Sequence, residues 1–307
     1  MKWQGRQQSS NIEDRRGAGG GGLGGGFGRG GGFGMPGGGI RIPGGRSTGG
    51  GLGIVGIIVV LGIIWFATGQ NPIDILTGGG SGSVPSSSQQ WAPSSNASQD
   101  ELASFVGVVV KDNEDLWGQV FKQNNLTYQP PKVVLFTEAT QSACGVAQAA
   151  TGPFYCPNDR KVYIDLAFYD QLRQQFGAPG DFAQAYVIAH EIGHAVQDQT
   201  GVLPEFNSRR ASMSQDEQNA YSVKVELQAD CYAGVWAHYA KRQNYLEQGD
   251  AEEAIRAANQ IGDDTLTRGQ VSPRNFTHGT SEQRMAWLKR GMDSGDVGQC
   301  DTFSGAV

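Results

Sequence analysis

The chain of 307 residues carries 24 basic and 30 acidic side chains, which gives a formal net charge of −6 at pH 7. Seven of the basic and two of the acidic side chains precede residue 68, so 17 basic and 28 acidic side chains follow it. An acidic body of this kind lacks the positively charged surface with which proteins contact phosphate backbones. The composition therefore excludes nucleic acid as an expected partner.

Residues 1–50 are rich in glycine and lack the periodic apolar side chains from which a packed core is built. A segment with so few large apolar side chains cannot offset the entropy that is lost when it is ordered. The mixture of Gly, Arg and Phe could also indicate an RNA-binding tail, but regular RGG repeats are absent from the sequence. We expect residues 1–50 to be disordered and to act as a solvated tether.

Residues 51–67 form an uncharged apolar run, at the short end of what spans a bilayer as a helix. The glycine-rich flank argues against a buried core helix, and the long preceding segment argues against a cleavable signal peptide. Basic residues precede the run, and the next one is Lys111, so the positive-inside rule places the amino terminus in the cytoplasm. We expect a single-pass membrane protein whose main domain is extracytoplasmic, in a periplasm or at the cell exterior.

Two further regions follow the apolar run. Residues 68–98 are rich in Gly, Ser, Pro and Gln and predict a flexible linker. Over residues 99–307, apolar side chains recur mostly at helical spacing, and two short β-rich runs occur at 132–137 and 161–166. We expect one mainly helical α+β domain with a small sheet.

His190, Glu191 and His194 form an H-E-x-x-H pattern within a helix predicted to begin near Asp181 and to end near Gly201. Positions i and i+4 of a helix share one face, so two imidazoles can bind one zinc ion. Glu191 lies about 100° around the helix from His190, where its carboxylate can accept a proton from zinc-bound water. The alternative is an ordinary surface helix on which this spacing arose by chance.

A catalytic zinc ion has three protein ligands and one open position. A third histidine close behind is excluded, because the metzincin pattern requires glycine and histidine where this chain has Gln197 and Thr200. The candidate is Glu226, on a long helix predicted after a polar connector at 204–215. Asp230, one turn later, can accept the second ring N–H of a histidine ligand. The alternative is that Glu226 and Asp230 lie on a solvent-exposed acidic face of the helix. The apolar residues around them argue against it, because an unpaired charge would be costly to bury there.

Four cysteines follow the apolar run, and an even number in an exported domain predicts two disulfides with three possible connectivities. We favour Cys144–Cys156, which closes a short loop, and Cys231–Cys300, which attaches the carboxyl-terminal tail to the long helix. A structural zinc site made of four cysteines is disfavoured because the sequence has no C-x-x-C pair.

Four stretches resemble a bacterial family of membrane-anchored neutral zinc metallopeptidases, and they lie at residues 144–157, 162–166, 190–201 and 226–236. The resemblance extends over most of residues 99–307 and includes the glycine-rich start and the apolar run. It implies a zincin-like fold with one Zn²⁺ per chain, His190 and His194 as ligands and Glu191 as a catalytic residue. The wider gluzincin arrangement implies Glu226 as the third ligand.

The resemblance also implies two further elements of an active site. In related zincins an edge strand pairs with the extended substrate, and Val162, Tyr163 and Ile164 are our candidates for that strand. His278 lies in a loop similar to one that supplies a histidine near the metal in membrane-associated gluzincins. It either stabilises an oxyanion or caps the helix that begins near Ser281.

We therefore expect a membrane-anchored zinc endopeptidase that acts on peptide or protein substrates, with Glu191 as general base for a zinc-activated water. The alternative is a catalytically inactive, membrane-tethered, zinc-binding module for interaction or chaperone-like work. Glu191 argues against that alternative, because a purely structural site has no use for a base. The sequence predicts neither the natural substrate nor the oligomeric state.

Overall fold

The computed structural model describes residues 1–16, 96–148, 152–174, 180–305 and 307. The predicted membrane anchor at 51–67 and nearly all of the predicted linker lie outside these residues. Within the described ranges, no helix is long and apolar enough to cross a bilayer. The described part of the chain is mostly helical and contains a small sheet, as the sequence predicted.

The described residues form six strands, eight helices and two short 3₁₀ turns. The strands are β1 (Ile12–Asp14), β2 (Lys132–Phe136), β3 (Ala139–Ser142), β4 (Gly145–Gln148), β5 (Phe154–Cys156) and β6 (Lys161–Asp165). The helices are α1 (Asn96–Gln123), α2 (Phe168–Gln174), α3 (Asp181–Gln199), α4 (Val202–Arg210), α5 (Gln215–Arg242), α6 (Asp250–Gln260), α7 (Asp263–Leu266) and α8 (Ser281–Ser294). The 3₁₀ turns are Pro273–Asn275 and Val297–Cys300.

The main sheet has the strand order β1-β2-β6-β5. Strands β1 and β6 both pair with β2 in parallel, whereas β5 runs antiparallel to β6. The side chains of Val133, Leu135, Val162 and Ile164 are fully buried in the core. Continuous apolar runs of this kind are typical of central strands covered on both faces. Strands β3 and β4 form a separate antiparallel hairpin.

Residues 1–16 are folded against the domain, so the prediction of disorder over 1–50 is wrong for them. Ile12 pairs with Val133 and Asp14 with Leu135 in the parallel pair of β1 and β2. The prediction treated the composition of residues 1–50 as uniform, although the glycine-rich stretch begins only at Gly17. The folded domain therefore consists of residues 1–16 together with the chain from Asn96 onward.

Helix α3 crosses the core and is buried almost throughout its length. It packs against α5 at Gly193, where an added Cβ atom would lie 3.3 Å from the backbone of Ala229. Helix α5 approaches α8 more closely still, since a Cβ atom on Gly234 would lie 2.1 Å from the carbonyl oxygen of Leu288. Small residues at these two crossings bring the polar side chains of three helices within reach of one another.

Both favoured disulfides are present. Cys144–Cys156 joins the β3–β4 turn to the end of β5, and Cys231–Cys300 attaches the carboxyl-terminal tail to α5. Cys156, Cys231 and Cys300 are fully buried.

The residues predicted as a polar connector at 204–215 form most of a helix, α4. Gly201 adopts a positive φ of 93°, ends α3 and is the residue before α4 begins. Of the α4 side chains only Phe206 is buried. The sequence therefore has no apolar periodicity that could have predicted this helix.

Candidate metal centre

The crossing of α3 and α5 brings His190, His194 and Glu226 together in the core. Nε2 of His190 lies 3.1 Å from Oε2 of Glu226, and Nε2 of His194 lies 3.5 Å from Oε1. All three side chains are buried, and their potential ligand atoms lie within 4.8 Å of one another. Two residues one turn apart on α3 and one residue on α5 thus point at a common centre.

The other nitrogen of each imidazole is already engaged. Nδ1 of His190 lies 2.8 Å from Oδ1 of Asp230, and Nδ1 of His194 lies 2.8 Å from Oε1 of Gln197. Both acceptor oxygens favour the tautomer in which Nδ1 carries the proton and Nε2 keeps its lone pair. The two imidazoles are therefore oriented to present Nε2 to a cation.

The carboxylate of Glu226 also fits a metal ion. Its Oε1 atom is buried and has no hydrogen-bond partner, and a buried polar atom without a partner is costly. Two imidazole nitrogens and one carboxylate oxygen are a ligand set that catalytic zinc sites use. The residues present therefore fit a zinc ion with an open fourth position.

The charges around the centre favour a cation. Burial alone would lower the pKa of His190, but Asp230 and Glu226 raise it to about 10. Burial lowers the pKa of His194 to about 4. Burial alone would raise the pKa of Glu226, yet the facing histidines hold it well below its usual value. The two carboxylates thus stabilise positive charge at this position, which a bound metal ion supplies.

Asp230 is the centre of a buried hydrogen-bond network. Its Oδ1 atom also accepts a hydrogen bond of 2.6 Å from the Tyr186 hydroxyl. Arg284 on α8 donates from Nε to Oδ2 at 2.9 Å and from Nη2 to Oδ1 at 3.0 Å. The placement of Asp230 behind His190 agrees with the sequence prediction. Arg284 and Tyr186, which fix the position of Asp230, were not predicted.

Glu191 lies beside the three grouped residues and is not one of them. Its Oε2 atom accepts a hydrogen bond of 2.9 Å from the backbone N–H of Tyr155 on β5. Burial raises the pKa of Glu191 to about 7. The hydroxyl of Tyr155 donates to Asp198 at 2.9 Å. These contacts hold β5 alongside the carboxylate of Glu191.

The candidate substrate strand needs a correction. Val162, Tyr163 and Ile164 lie in β6, which is paired on one side with β2 and on the other with β5. Both hydrogen-bonding edges of β6 are therefore occupied at Val162 and Tyr163, and β6 is not an edge strand there. The edge strand on this side of the sheet is β5.

His278 is buried, and its ring is close enough for its charge to contribute to the lowered pKa of Glu226. Its Nδ1 lies 3.2 Å from Oδ1 of Asp263. The second oxygen of Asp263 accepts the backbone N–H groups of residues 277, 278 and 279 at 2.7, 2.7 and 3.1 Å. Asp263 therefore fixes the loop that carries His278.

The alternative role of His278 as a helix cap does not fit the structure. Helix α8 begins at Ser281, and its capping box consists of Thr280 and Gln283. The side chain of Thr280 accepts the backbone N–H of Gln283, and the side chain of Gln283 accepts that of Thr280. The ring of His278 therefore takes no part in capping α8.

Sequence reasoning missed several residues of the site for different reasons. Gln197 was detectable, because it lies three residues after His194 on the same helix face. Tyr155, Asp263 and Arg284 carried no such signal, since each reaches the centre from a separate element. Only the folded structure reveals contacts of that kind.

Two histidines four residues apart on one helix and a glutamate from a second helix, with a second glutamate beside them, are the residue types that catalytic zinc sites use. The chain belongs to the family described as putative neutral zinc metallopeptidases, which matches residues 1–303.

The relatives of the chain carry no assigned activity in their names. It is 46% identical over 311 residues to the uncharacterized protein YpfJ of Escherichia coli strain K12, and the match covers 100% of both chains. It is 42% identical over 193 residues to the uncharacterized proteins Mb2605 of Mycobacterium bovis and Rv2575 of Mycobacterium tuberculosis. Those matches cover 58% of this chain and 64% of each relative. No solved structure matches the chain.

Proposed function

We propose that the protein is a zinc-dependent endopeptidase that hydrolyses peptide bonds with Glu191 as general base. The observation that carries this proposal is the buried carboxylate of Glu191, which lies beside the three-residue group without belonging to it. A purely structural metal site has no use for such a group. The rest of the proposal follows from what each neighbouring side chain can do.

His190, His194 and Glu226 would hold one Zn²⁺ ion per chain. When bound, the ion supplies Lewis-acid chemistry, since it polarises the scissile carbonyl and acidifies the attacking water. Asp230 and Gln197 keep the two imidazoles in the required tautomer and orientation.

Glu191 would take the proton from the attacking water and pass it to the leaving amine. A general base works best when its pKa lies near the working pH, and burial raises the pKa of Glu191 to about 7. The backbone N–H of Tyr155 fixes the position of one carboxylate oxygen. The other oxygen remains for the proton transfer.

We assign substrate binding to β5. The N–H of Tyr155 points away from β6, because it donates to Glu191 across the free edge of the strand. Because Glu191 already accepts that N–H, an extended peptide would pair here through the carbonyl of Tyr155 and would pass directly beside Glu191. Such pairing uses backbone groups, so it would select only weakly for substrate sequence.

We assign oxyanion stabilisation to His278. Burial alone would lower the pKa of His278, but the contact of its Nδ1 with Asp263 raises it, so the ring in its protonated form would donate from Nε2 toward the reacting carbonyl. Membrane attachment through residues 51–67 and an extracytoplasmic location belong to the same proposal. The two disulfides support an oxidising compartment.

The test compares the purified full-length wild type with Glu191→Gln. We expect one zinc ion per chain in both by mass spectrometry, and turnover of a broad peptide library reduced by roughly 10²- to 10⁴-fold in the variant. Glu205→Gln on α4, whose side chain is exposed, is the matched control. Full zinc content without Glu191-dependent turnover would instead support an inactive zinc-binding module.

A further inference from the structure

Residues 1–16 make specific contacts along α1. The backbone N–H of Ser9 donates to the carbonyl of Gly107 at 2.9 Å, and the ring of Trp3 packs edge-on against Phe105. A Cβ atom on Gly107 would lie 3.1 Å from Cβ of Gln8. The segment thus lies directly on the helix surface.

The same segment binds acidic side chains of α1 through an ion pair and hydrogen bonds. The carboxylate of Asp112 is almost fully buried and pairs with Arg6, whose guanidinium also lies 3.2 Å from the ring centroid of Tyr245. Glu114 accepts hydrogen bonds from Ser9 and Asn11. Without this segment a buried carboxylate would lose the cation that pairs with it, which is strongly destabilising.

Strand β1 covers an edge of the central sheet. The backbone N–H of Val133 donates to the carbonyl of Asn11 at 2.8 Å, and that of Arg15 donates to the carbonyl of Leu135 at 2.7 Å. Without β1, the apolar strand β2 would be an open edge, which proteins avoid because it promotes aggregation. Residues 1–16 therefore complete the fold.

The first range of described residues ends at Arg16 and the next begins at Asn96. Arg16 lies close to the start of α1. The guanidinium of Arg16 donates to the carbonyl of Gln99 at 2.7 Å and to the carboxylate of Asp100 at 3.0 Å. Both contacts fall within the first two turns of α1. Arg16 and the amino-terminal end of α1 thus lie side by side on the domain surface.

We infer that residues 1–16, which are an integral part of the folded domain, lie in the same compartment as the metal centre, so that the chain does not cross a membrane just once between Arg16 and Asp100. A single crossing would place Arg16 and Asp100 on opposite sides of a hydrocarbon core about 30 Å thick. Their contact at 3.0 Å excludes that arrangement. The inference is independent of the proposed peptidase activity, and it differs from the topology that the charge distribution predicts.

The first test cross-links the segment to α1 in the full-length chain. Gln8→Cys combined with Gly107→Cys places two sulfurs near disulfide distance, since the Cβ atoms lie 3.1 Å apart and natural disulfides have about 3.5–4.5 Å. Cells that produce the variant are treated with a membrane-permeant thiol oxidant, and unreduced peptides are mapped by mass spectrometry. We expect a link between positions 8 and 107 in most molecules.

Gln7→Cys with Gly107→Cys is the matched control, because the three atoms nearest to a Cβ atom at position 107 all belong to Gln8. We expect at least severalfold less cross-linking from position 7. Absence of the 8–107 link in chains that retain the Cys231–Cys300 disulfide would overturn the inference, because such chains are folded.

The second test measures membrane sidedness directly. Gln7→Cys and Gln123→Cys place single thiols at exposed positions in the segment and at the end of α1. A membrane-impermeant maleimide is applied to intact and to permeabilised cells, and the labelled peptide is identified. We expect the two positions to share the same accessibility, whichever compartment that is. Labelling of one position in intact cells and of the other only after permeabilisation would refute the inference.

Discussion

The guanidinium of Arg284 lies side-on against the carboxylate of Asp230 and donates one hydrogen bond to each of its oxygens. Both side chains are buried, and Asp230 in turn contacts His190. Arg284 reaches the centre from α8 and contacts none of the three grouped residues through a hydrogen bond or ion pair that the structure records. Its influence on a bound metal ion is therefore indirect.

Replacement of Arg284 should weaken zinc binding through Asp230. Arg284→Met leaves a buried carboxylate without its cation, so we expect a loss of about 3–5 kcal/mol in the free energy of unfolding. We also expect zinc affinity, measured by competition with a chelator, to fall roughly 10- to 100-fold. Lys289→Met on the exposed face of the same helix should change neither quantity. Unchanged zinc affinity in Arg284→Met would show that the network serves stability alone.

Glu226→Ala tests the third ligand. Removal of the carboxylate leaves two histidine ligands, so we expect the purified variant to lose most of its zinc while it keeps its helical content by circular dichroism. Asp216→Ala, which removes an exposed carboxylate from the first turn of the same helix, is the control. A variant that bound zinc as tightly as the wild type would rule out Glu226 as a ligand.

The buried carboxyl of Glu191 should make the metal-free protein sensitive to pH. Its pKa is raised from 4.5 to about 7, so it remains protonated in the folded state over a range where it ionises in the unfolded state. Its ionisation therefore destabilises the fold as pH rises from about 4.5 to about 7.

Glu191→Gln removes this effect at nearly constant shape. We expect wild type and variant to unfold at similar urea concentrations at pH 4. At pH 8 the variant should be more stable by about 3 kcal/mol at most, since each pKa unit corresponds to about 1.4 kcal/mol. An equal difference at both pH values would show that Glu191 does not titrate in this range.

His278→Ala tests the assigned oxyanion role. We expect zinc content to be unchanged and kcat to fall by roughly 10²- to 10³-fold, with a smaller change in KM, because the ring acts mainly in the transition state. His238→Ala is the matched control, since that histidine contacts the carbonyl of Met292 away from the centre. Unaltered kcat in His278→Ala would leave the ring a structural role in its loop.

The parts of the site that were predictable from sequence are those set by helix geometry. His190 and His194 share a face because they are four residues apart, and the same spacing places Asp230 one turn after Glu226. The apolar neighbours of Glu226 indicated that its charge would be buried. We expected the two helices to meet because a metal ion bound by both would compensate the buried charge of Glu226.

The errors arose where sequence patterns were averaged or were ambiguous. The run around Tyr163 is apolar on both faces, which is typical of a central strand, yet it was assigned to an edge. Residues 1–16 were grouped with the glycine-rich stretch that follows them. The contact of His278 with Asp263 joins the loop before α8 to the start of α7, and no local pattern predicts such a pairing.

The geometry of the metal centre depends on Gly193, a residue that has no side chain, because α3 crosses α5 there. Glu226 can reach the two imidazoles because α3 and α5 approach at Gly193 and Ala229, one position from His194 and from Asp230 respectively. The distance between the two helices at this crossing sets the spacing of the three ligand atoms. A methyl group at position 193 would push α3 and α5 apart and so increase the distances between the three ligand atoms. The geometry of the metal centre therefore depends on the absence of a side chain at Gly193 as well as on the ligands themselves.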